Sequence, residues 1–302
     1  MKAIVCTGHG PADVLQLKEV EKPAPKENEV LVRVHTTTVT RGDVILRKLH
    51  PWLYLPMRLF GVRRKRIPGH EFAGEIESTG RRVTRFKAGD RVLGTTTGLS
   101  VGANAEHVCL PEEWETGVIA IKPADMTDEE AAALPVGGMT ALYLLRSGNL
   151  QSGQKVLVYG ASGSVGTYAV QLARHHFDAE VTGVCSTANV ELVRSLGAGQ
   201  VIDYTKEDIT RNGQVYDVLF DAVGKVSPSQ RKSLLKENGA YLSIQTTTSE
   251  NVENLHTLIE LVEAGKIKAV IDRRYPLEGV AEAHSYVETG HKRGNVLITV
   301  AH

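Results

Sequence analysis

Cysteine is scarce in this chain. Cys6, Cys109 and Cys185 are the only three in 302 residues, and no C-x-x-C pair occurs. An odd, widely spaced set gives no disulfide framework and points to reduced thiols in the cytosol. It also removes the four-cysteine structural zinc motif. An excess of either charge is missing too, since Lys+Arg and Asp+Glu both number 35. A nucleic-acid partner, which usually shows as a basic excess or a basic face, finds no support in that balance. No apolar run is long enough to cross a bilayer, and the opening MKAIVCTGHG is too polar for a secretory leader. The expectation is a cytoplasmic protein. With 42% apolar and 23% charged residues, the chain has a globular make-up and is long enough for two domains.

What is present falls into two patterns. The first part carries short β-type segments: KAIVC (2–6), EVLVRVHTTTV (29–39), EFAGEIEST (71–79), DRVLGTTT (90–97) and AEHVCL (105–110). Turn chemistry such as PAPKEN and KAGD separates them, which predicts a twisted or barrel-like β domain. From about residue 128 strands and helices alternate. KVLVYG (155–160) is an apolar β run, and SVGTYAVQLARHHF then puts Val165, Ala169, Leu172, Ala173 and Phe177 on one helical face. EVTGVC, ANVELVRSLGA, QVIDY, YDVLFDAVG, QRKSLLKENG, AYLSI and ENLHTLIELVEAG continue the alternation, with QRKSLLKENG read as a helix. This predicts a parallel sheet covered on both faces. The tail ends in a last β run, NVLITV, positioned to return to the first domain.

Between KVLVYG and its helix lies GASGSVG, residues 160–166. It departs from G-x-G-x-x-G in having Ala161 where the first glycine would stand, with Gly163 and Gly166 in the later positions. Gly163 lets backbone amides approach a pyrophosphate, and Gly166 lets the helix pack close to the strand. The helix N-terminus supplies N–H groups and a positive dipole end. A plain strand-to-helix turn also uses glycine, but the βαβ context favours a dinucleotide held by Gly160, Ser162, Gly163, Ser164, Val165 and Gly166. At the next strand's end, where an NAD site usually carries Asp or Glu, the chain reads VCSTAN. Ser186, Thr187 and Asn189 are small donors and no carboxylate is among them, so NADP(H) is expected over NAD(H). The plainer role of Ser186 or Thr187 is to cap the following helix. No arginine occupies Ala188; Arg194 and Lys206 are candidate cations that sequence alone does not place.

Residues 68–76, PGHEFAGEI, set His70 beside Glu71 in the manner of a zinc ligand backed by a carboxylate. A catalytic zinc takes three protein ligands and keeps one position open. No second histidine stands at i, i+4, and the three cysteines fall in the wrong contexts. His70 therefore reads as a hydrogen-bonded structural residue, and no metal is expected.

Taken together, these motifs resemble the medium-chain dehydrogenase/reductase superfamily, in its zinc-free quinone-oxidoreductase-like branch. The resemblance runs from EVLVRVHTTTVTRGDV through RFKAGDRVLG, EEAAALPVGGMTALYLL and VIDYTKED to GHKRGNVLITV. It implies an α/β chain: a GroES-like β-barrel-type domain over 1–125 and 270–302, and a Rossmann doubly wound parallel sheet over 126–269, with a substrate cleft between them. Zinc-dependent members place cysteines where this chain has Thr40 in TVTRGD and Val136–Gly137 in ALPVGG. Thr40 and Thr140 match positions near the nicotinamide, and Tyr204 matches one at the adenine-ribose end. Ala222, Val223 and Gly224 match the turn beneath the ribose, and Asn295 matches a residue that helps close the cofactor cleft. Thr140 has a plain alternative role in packing its helix, and Tyr204 one as strand surface.

Two stretches depart from the family pattern. Between AYLSIQTTT and ENLHTLIELVEAG, relatives carry a few tens of residues that add an edge strand, frequently the dimer seam, and part of the substrate pocket. Here only TSENV remains after Thr247, so the Rossmann sheet is expected to be shortened at one edge and the oligomeric state stays open. The stretch LHPWLYLPMRLFGVRRKR (49–66) ends in Arg63, Arg64, Lys65 and Arg66. Admission of lipophilic substrates, steering of anions and rest on a membrane surface are its functional readings; an irregular loop with a solvated basic end is the expected one.

The chemistry implied is NADPH-dependent reduction of a small-molecule electrophile (a quinone, enone or enal) by hydride transfer without metal. Charge developing on the carbonyl oxygen needs aimed donors, and Thr40 is the leading candidate. The alternatives are a zinc-type alcohol dehydrogenase and an NADPH-binding sensor or partner module lacking efficient catalysis.

Overall fold

The structure, a computed structural model, describes residues 1–50, 52–53, 65–211 and 213–302. Most of the 49–66 stretch lies outside the described residues. The chain divides into two compact units, Met1–Val136 with Ile271–His302, and Gly137–Val270. No helix among the described residues is long and apolar enough to cross a membrane.

The first unit contains β1 (Lys2–Cys6), β2 (Leu15–Glu19), β3 (Glu29–Thr38), α1 (Arg41–Lys48), β4 (Glu71–Thr79), β5 (Arg91–Thr95), β6 (His107–Pro111), β7 (Ile119–Ile121) and α2 (Asp128–Ala133). From the far end of the chain it takes β13 (Ile271–Pro276), α8 (Val280–Glu288) and β14 (Asn295–Thr299). A seven-stranded sheet runs β13-β14-β3-β4-β5-β7, with β6 also on β3. The long strand β3 explains how one element serves so many partners. Its Glu29–Arg33 part pairs with β6, its Thr36–Thr38 part pairs with β14, and the pairing with β4 slips at Leu31/Val32 and again at Val34/Thr36. Such slips bend and twist a strand, so β3 turns the sheet around a core of Val30, Val32, Val34, Phe72, Ile76, Val92, Val296 and Ile298. The 126–136 segment, expected with the nucleotide domain, packs here instead. Ala131, Ala132 and Ala133 are fully buried, and their small side chains let α2 lie close on β3 and β4.

The second unit holds α3, which spans Pro135–Ser147 and starts at the boundary. It continues with β8 (Lys155–Tyr159), α4 (Ser164–His175), β9 (Glu180–Cys185), α5 (Val190–Ser195) and β10 (Gln200–Asp203). Then come β11 (Tyr216–Asp221), α6 (Pro228–Leu234), β12 (Leu235–Ser243) and α7 (Val252–Glu263). The five strands are all parallel in the order β10-β9-β8-β11-β12. The chain walks outward one way from β8 to β10, then the other way through β11 and β12. That reversal beside β8 is a topological switch point, the place where such sheets bind ligands at their carboxyl ends. One expectation needs correction: QRKSLLKENG is not one helix. It breaks after Leu234, where Leu235 turns extended and Lys236 pairs with Asp217 of β11 at 2.7 Å, drawing the segment into β12. Among the described residues no strand lies on the outer side of β12, so the sheet is short at that edge as expected.

Candidate functional site

In the second unit, the turn after β8 has a backbone that the sequence explains. Gly160 adopts φ +82°, a left-handed conformation that a side chain strains. A Cβ on Gly166 would stand 2.1 Å from the Gly160 carbonyl oxygen, so only glycine lets α4 approach. Gly163 differs: at φ −80° a Cβ there would meet only that same oxygen, at an ordinary 3.6 Å. The chain itself makes no demand for glycine at 163, and the space left open lies at the N-cap of α4, which no side chain caps. An uncapped helix N-terminus fronted by open space fits a phosphate.

At the end of β9, Asn189 Nδ2 donates to Ser162 Oγ and to Ser186 Oγ, both at 3.2 Å, tying the glycine turn to the strand tip. Asn189 Oδ1 is buried without a partner among the described residues. Thr187 points elsewhere. Its hydroxyl donates to Asp203 Oδ2 at 2.5 Å, and the Thr205 hydroxyl donates to Asp203 Oδ1 at 2.6 Å. The tip of β9 has no carboxylate of its own, but β10 supplies one behind Thr187. Hydrogen bonds from Thr187 and Thr205 hold the Asp203 carboxyl down at about 2, against the opposing effect of desolvation. Lys206 stands 3.5 Å from Asp203 Oδ2 with its side chain largely exposed, whereas Arg194 is drawn to Glu191 at 2.8 Å. Tyr204 is 52% exposed beside them.

The turn Ala222–Gly224 is braced from below by Asp221, which is fully buried at the end of β11. Its carboxylate accepts Val223 N at 3.0 Å, Gly224 N at 2.8 Å, Val226 N at 2.9 Å and the Tyr241 hydroxyl at 2.9 Å. Thr140 lies half-buried on α3. Sequence reasoning missed both Asp203 and Asp221. The signal was there, a carboxylate ending an apolar strand in VID and in VLFD.

In the first unit the GHE motif folds around a carboxylate that was also missed, Asp43. Thr40 N-caps α1: its hydroxyl oxygen accepts Asp43 N at 3.1 Å, while its hydrogen goes to Asp43 Oδ2 at 2.6 Å. The other carboxylate oxygen pairs with His70 Nδ1 at 2.6 Å and accepts Gly69 N at 3.3 Å. Burial works against the Asp43 charge, yet the neighbouring His70, with His284 and the Thr40 hydroxyl adding to it, holds its carboxyl well below the usual range. The T-x-x-D spacing of a capping box was the legible clue. Glu71 is buried as well, accepting Val136 N at 2.7 Å and the Thr38 hydroxyl at 2.6 Å. Burial pulls the Lys292 ammonium down to about 8, although the charges of Glu71 and Asp272 oppose this. Asn295 is buried at the start of β14.

This donor set does not suit a catalytic zinc. Thr40 and His70 are both committed to Asp43, and Val136 and Gly137 bring no ligating side chain. Among the described residues no group of three or more His, Cys, Asp or Glu is arranged to hold a metal ion.

The chain is similar to known proteins along nearly its whole length. Residues 26–123 match the family model for the alcohol dehydrogenase GroES-like domain, and residues 238–298 that for zinc-binding dehydrogenase. The chain is 33% identical to a 2-methylene-furan-3-one reductase of Solanum lycopersicum, over 99% of its own length and 79% of that protein. It is 32% identical, with the same coverage, to a chloroplastic NADPH-dependent alkenal/one oxidoreductase of Arabidopsis thaliana. Among solved structures, the quinone oxidoreductase from Coxiella burnetii superposes with a TM-score of 0.89 at 28% identity, covering 100% of this chain and 99% of that one.

Proposed function

Because the chain belongs to the quinone-oxidoreductase-like branch of the medium-chain dehydrogenase/reductase superfamily, we propose that it reduces a quinone, or the activated C=C of an enone or enal, with NADPH and without metal. The observation that carries this reading is similarity along 99% of the chain to relatives named as a 2-methylene-furan-3-one reductase and an NADPH-dependent alkenal/one oxidoreductase. The second unit takes the dinucleotide. Gly160, Ser162, Gly163, Ser164, Val165 and Gly166 receive the pyrophosphate at the start of α4. Ser186, Asn189 and the exposed Lys206 favour a 2′-phosphate, in line with the cofactor named for the Arabidopsis relative. Tyr204 and the Ala222–Gly224 turn serve the adenosine half, and Thr140 the nicotinamide end.

When bound, the dinucleotide supplies the hydride. The protein's task is then to meet negative charge on the acceptor's carbonyl oxygen. Conjugation in a quinone or enone spreads that charge, so hydrogen-bond donors suffice where a simple ketone calls for a Lewis acid. Thr40 serves only by giving up its bond to Asp43. Solvent completes the reaction with a proton.

NADPH oxidation with a panel of enones, enals and quinones, before and after chelator treatment, tests the reading. Turnover that survives the chelator is expected. Alcohol oxidation appearing only on zinc addition would replace it with the zinc-type dehydrogenase. The short 244–251 link between β12 and α7 favours a second reading, a dinucleotide-binding module without efficient chemistry. Tight NADPH binding with no acceptor turned over would select it.

A further inference from the structure

Resting on the reading of the second unit as the dinucleotide site, we propose that Asp203 sets the balance between phosphorylated and unphosphorylated cofactor by fixing where the Thr187 hydroxyl sends its hydrogen. A hydroxyl has one hydrogen and two lone pairs. Asp203 ends β10, is 8% exposed, and brings a carboxylate that can only accept. Its Oδ2 takes the Thr187 hydroxyl at 2.5 Å; its Oδ1 takes the Thr205 hydroxyl at 2.6 Å and Thr205 N at 3.0 Å. Both threonine hydrogens are thereby spent, and the 3.1 Å contact between the two hydroxyl oxygens has none left to share. Thr187, itself exposed, shows solvent lone pairs alone.

That polarity has a consequence for recognition. A ribose 2′-hydroxyl can donate to the Thr187 oxygen. A 2′-phosphate brings acceptors and negative charge, and meets lone pairs with a carboxylate behind them. Ser162 and Ser186 have the opposite polarity: each accepts from Asn189 Nδ2, so each keeps its hydrogen for a ligand. The Ser186 hydroxyl at the β9 tip, the Ser162 hydroxyl tied to it through Asn189, and the Lys206 ammonium suit a phosphate, whereas Thr187 is an enforced acceptor that suits a hydroxyl. Asp203 acts here as a positioning residue, through Thr187. Because its carboxyl is held down at about 2, the arrangement persists at any pH near neutrality.

The test is the dissociation constant of NADPH and of NADH, read from cofactor fluorescence, for the wild-type protein, Asp203→Asn and Thr187→Val. An asparagine amide can donate to the Thr187 oxygen and release its hydrogen outward. The preference for NADPH over NADH is therefore expected to rise about tenfold in Asp203→Asn, the scale of one charged hydrogen bond. Thr187→Val, a change at an exposed position whose melting temperature is read alongside, is expected to weaken NADH several-fold and leave NADPH unchanged or tighter. Ratios within twofold of wild type in both variants, or a shift toward NADH in Asp203→Asn, overturn the proposal. A wild-type protein that prefers NADH defeats only the choice of NADPH; one that binds neither dinucleotide defeats the site and this inference with it.

Discussion

His284 shows what a single buried side chain does to this protein. It sits on α8, fully buried, and neither ring nitrogen has a hydrogen-bond partner among the described residues. Burial pulls its pKa down to about 4, from an ordinary value of 6.5, although the charge of Asp43 opposes the shift. The unfolded chain therefore binds a proton that the folded one refuses throughout pH 4 to 6.5. The stability tied to His284 is complete above 6.5 and drains away as pH falls to 4, by roughly 3 kcal/mol. Asp43 adds to acid lability in a lower window. Its folded pKa is depressed, so its contribution is present above the unfolded value of 3.8 and is lost as pH falls further. Replacing His284 by leucine removes an unpaired polar ring from the core. His284→Leu is expected to raise unfolding free energy at pH 7 by about 1 to 2 kcal/mol and to flatten the decline between pH 6.5 and 4. Urea midpoints at pH 7 and pH 5 check both effects, and a variant that keeps the wild-type slope would clear His284 of the role.

At the scale of the element, the β8–α4 turn separates glycines that the fold requires from one, Gly163, that it does not. Gly166→Ala drives a methyl to 2.1 Å from a carbonyl oxygen, so α4 must move away from β8. A loss of about 3 kcal/mol or more is expected, as in other overpacked sites. Gly163→Ala meets nothing closer than 3.6 Å and is expected to melt within a few degrees of wild type. Its NADPH affinity should nevertheless fall at least tenfold, because the added methyl occupies the approach to the helix N-terminus. Melting curves with and without NADPH separate the two. The glycines and the uncapped helix were legible in GASGSVG, since a turn between a strand and a helix leaves its mark in local sequence. The partner of Thr187 was not. Asp203 stands 16 residues away, and only the parallel pairing of β9 with β10 brings it alongside. The same limit applies to KENG, which bulges between Leu235 and Ala240, the two points where β12 meets Tyr216 and Val218 of β11.

At the scale of the whole molecule, the first unit is assembled from both ends of the chain, and β14 is wedged between β13 and β3. NVLITV announced a strand; its neighbours had to come from the fold. Among the described residues no strand covers β12, and that edge of the second unit's sheet is the larger matter for behaviour in solution. An unpaired edge strand is a template for association, and proteins blunt such edges with charge. On β12 this falls to Lys236 and Glu237, both exposed, with Lys236 tied to Asp217 at 2.7 Å. The edge is also short of apolar surface, because its outward stretch reads KEN. If charge is what keeps this flank unpaired, then replacing Lys236 and Glu237 together by valine leaves the fold intact and exposes a β-branched, neutral edge. Light scattering during size-exclusion chromatography should then show larger species growing with concentration in the double variant, more strongly than in wild type. High salt should promote the same association in wild type, only weakly, since an exposed ion pair contributes at most about 1 kcal/mol. A double variant whose mass stays equal to that of wild type at every concentration would mean that the geometry of the strand, with its register slip near Tyr216, protects the edge without help from charge.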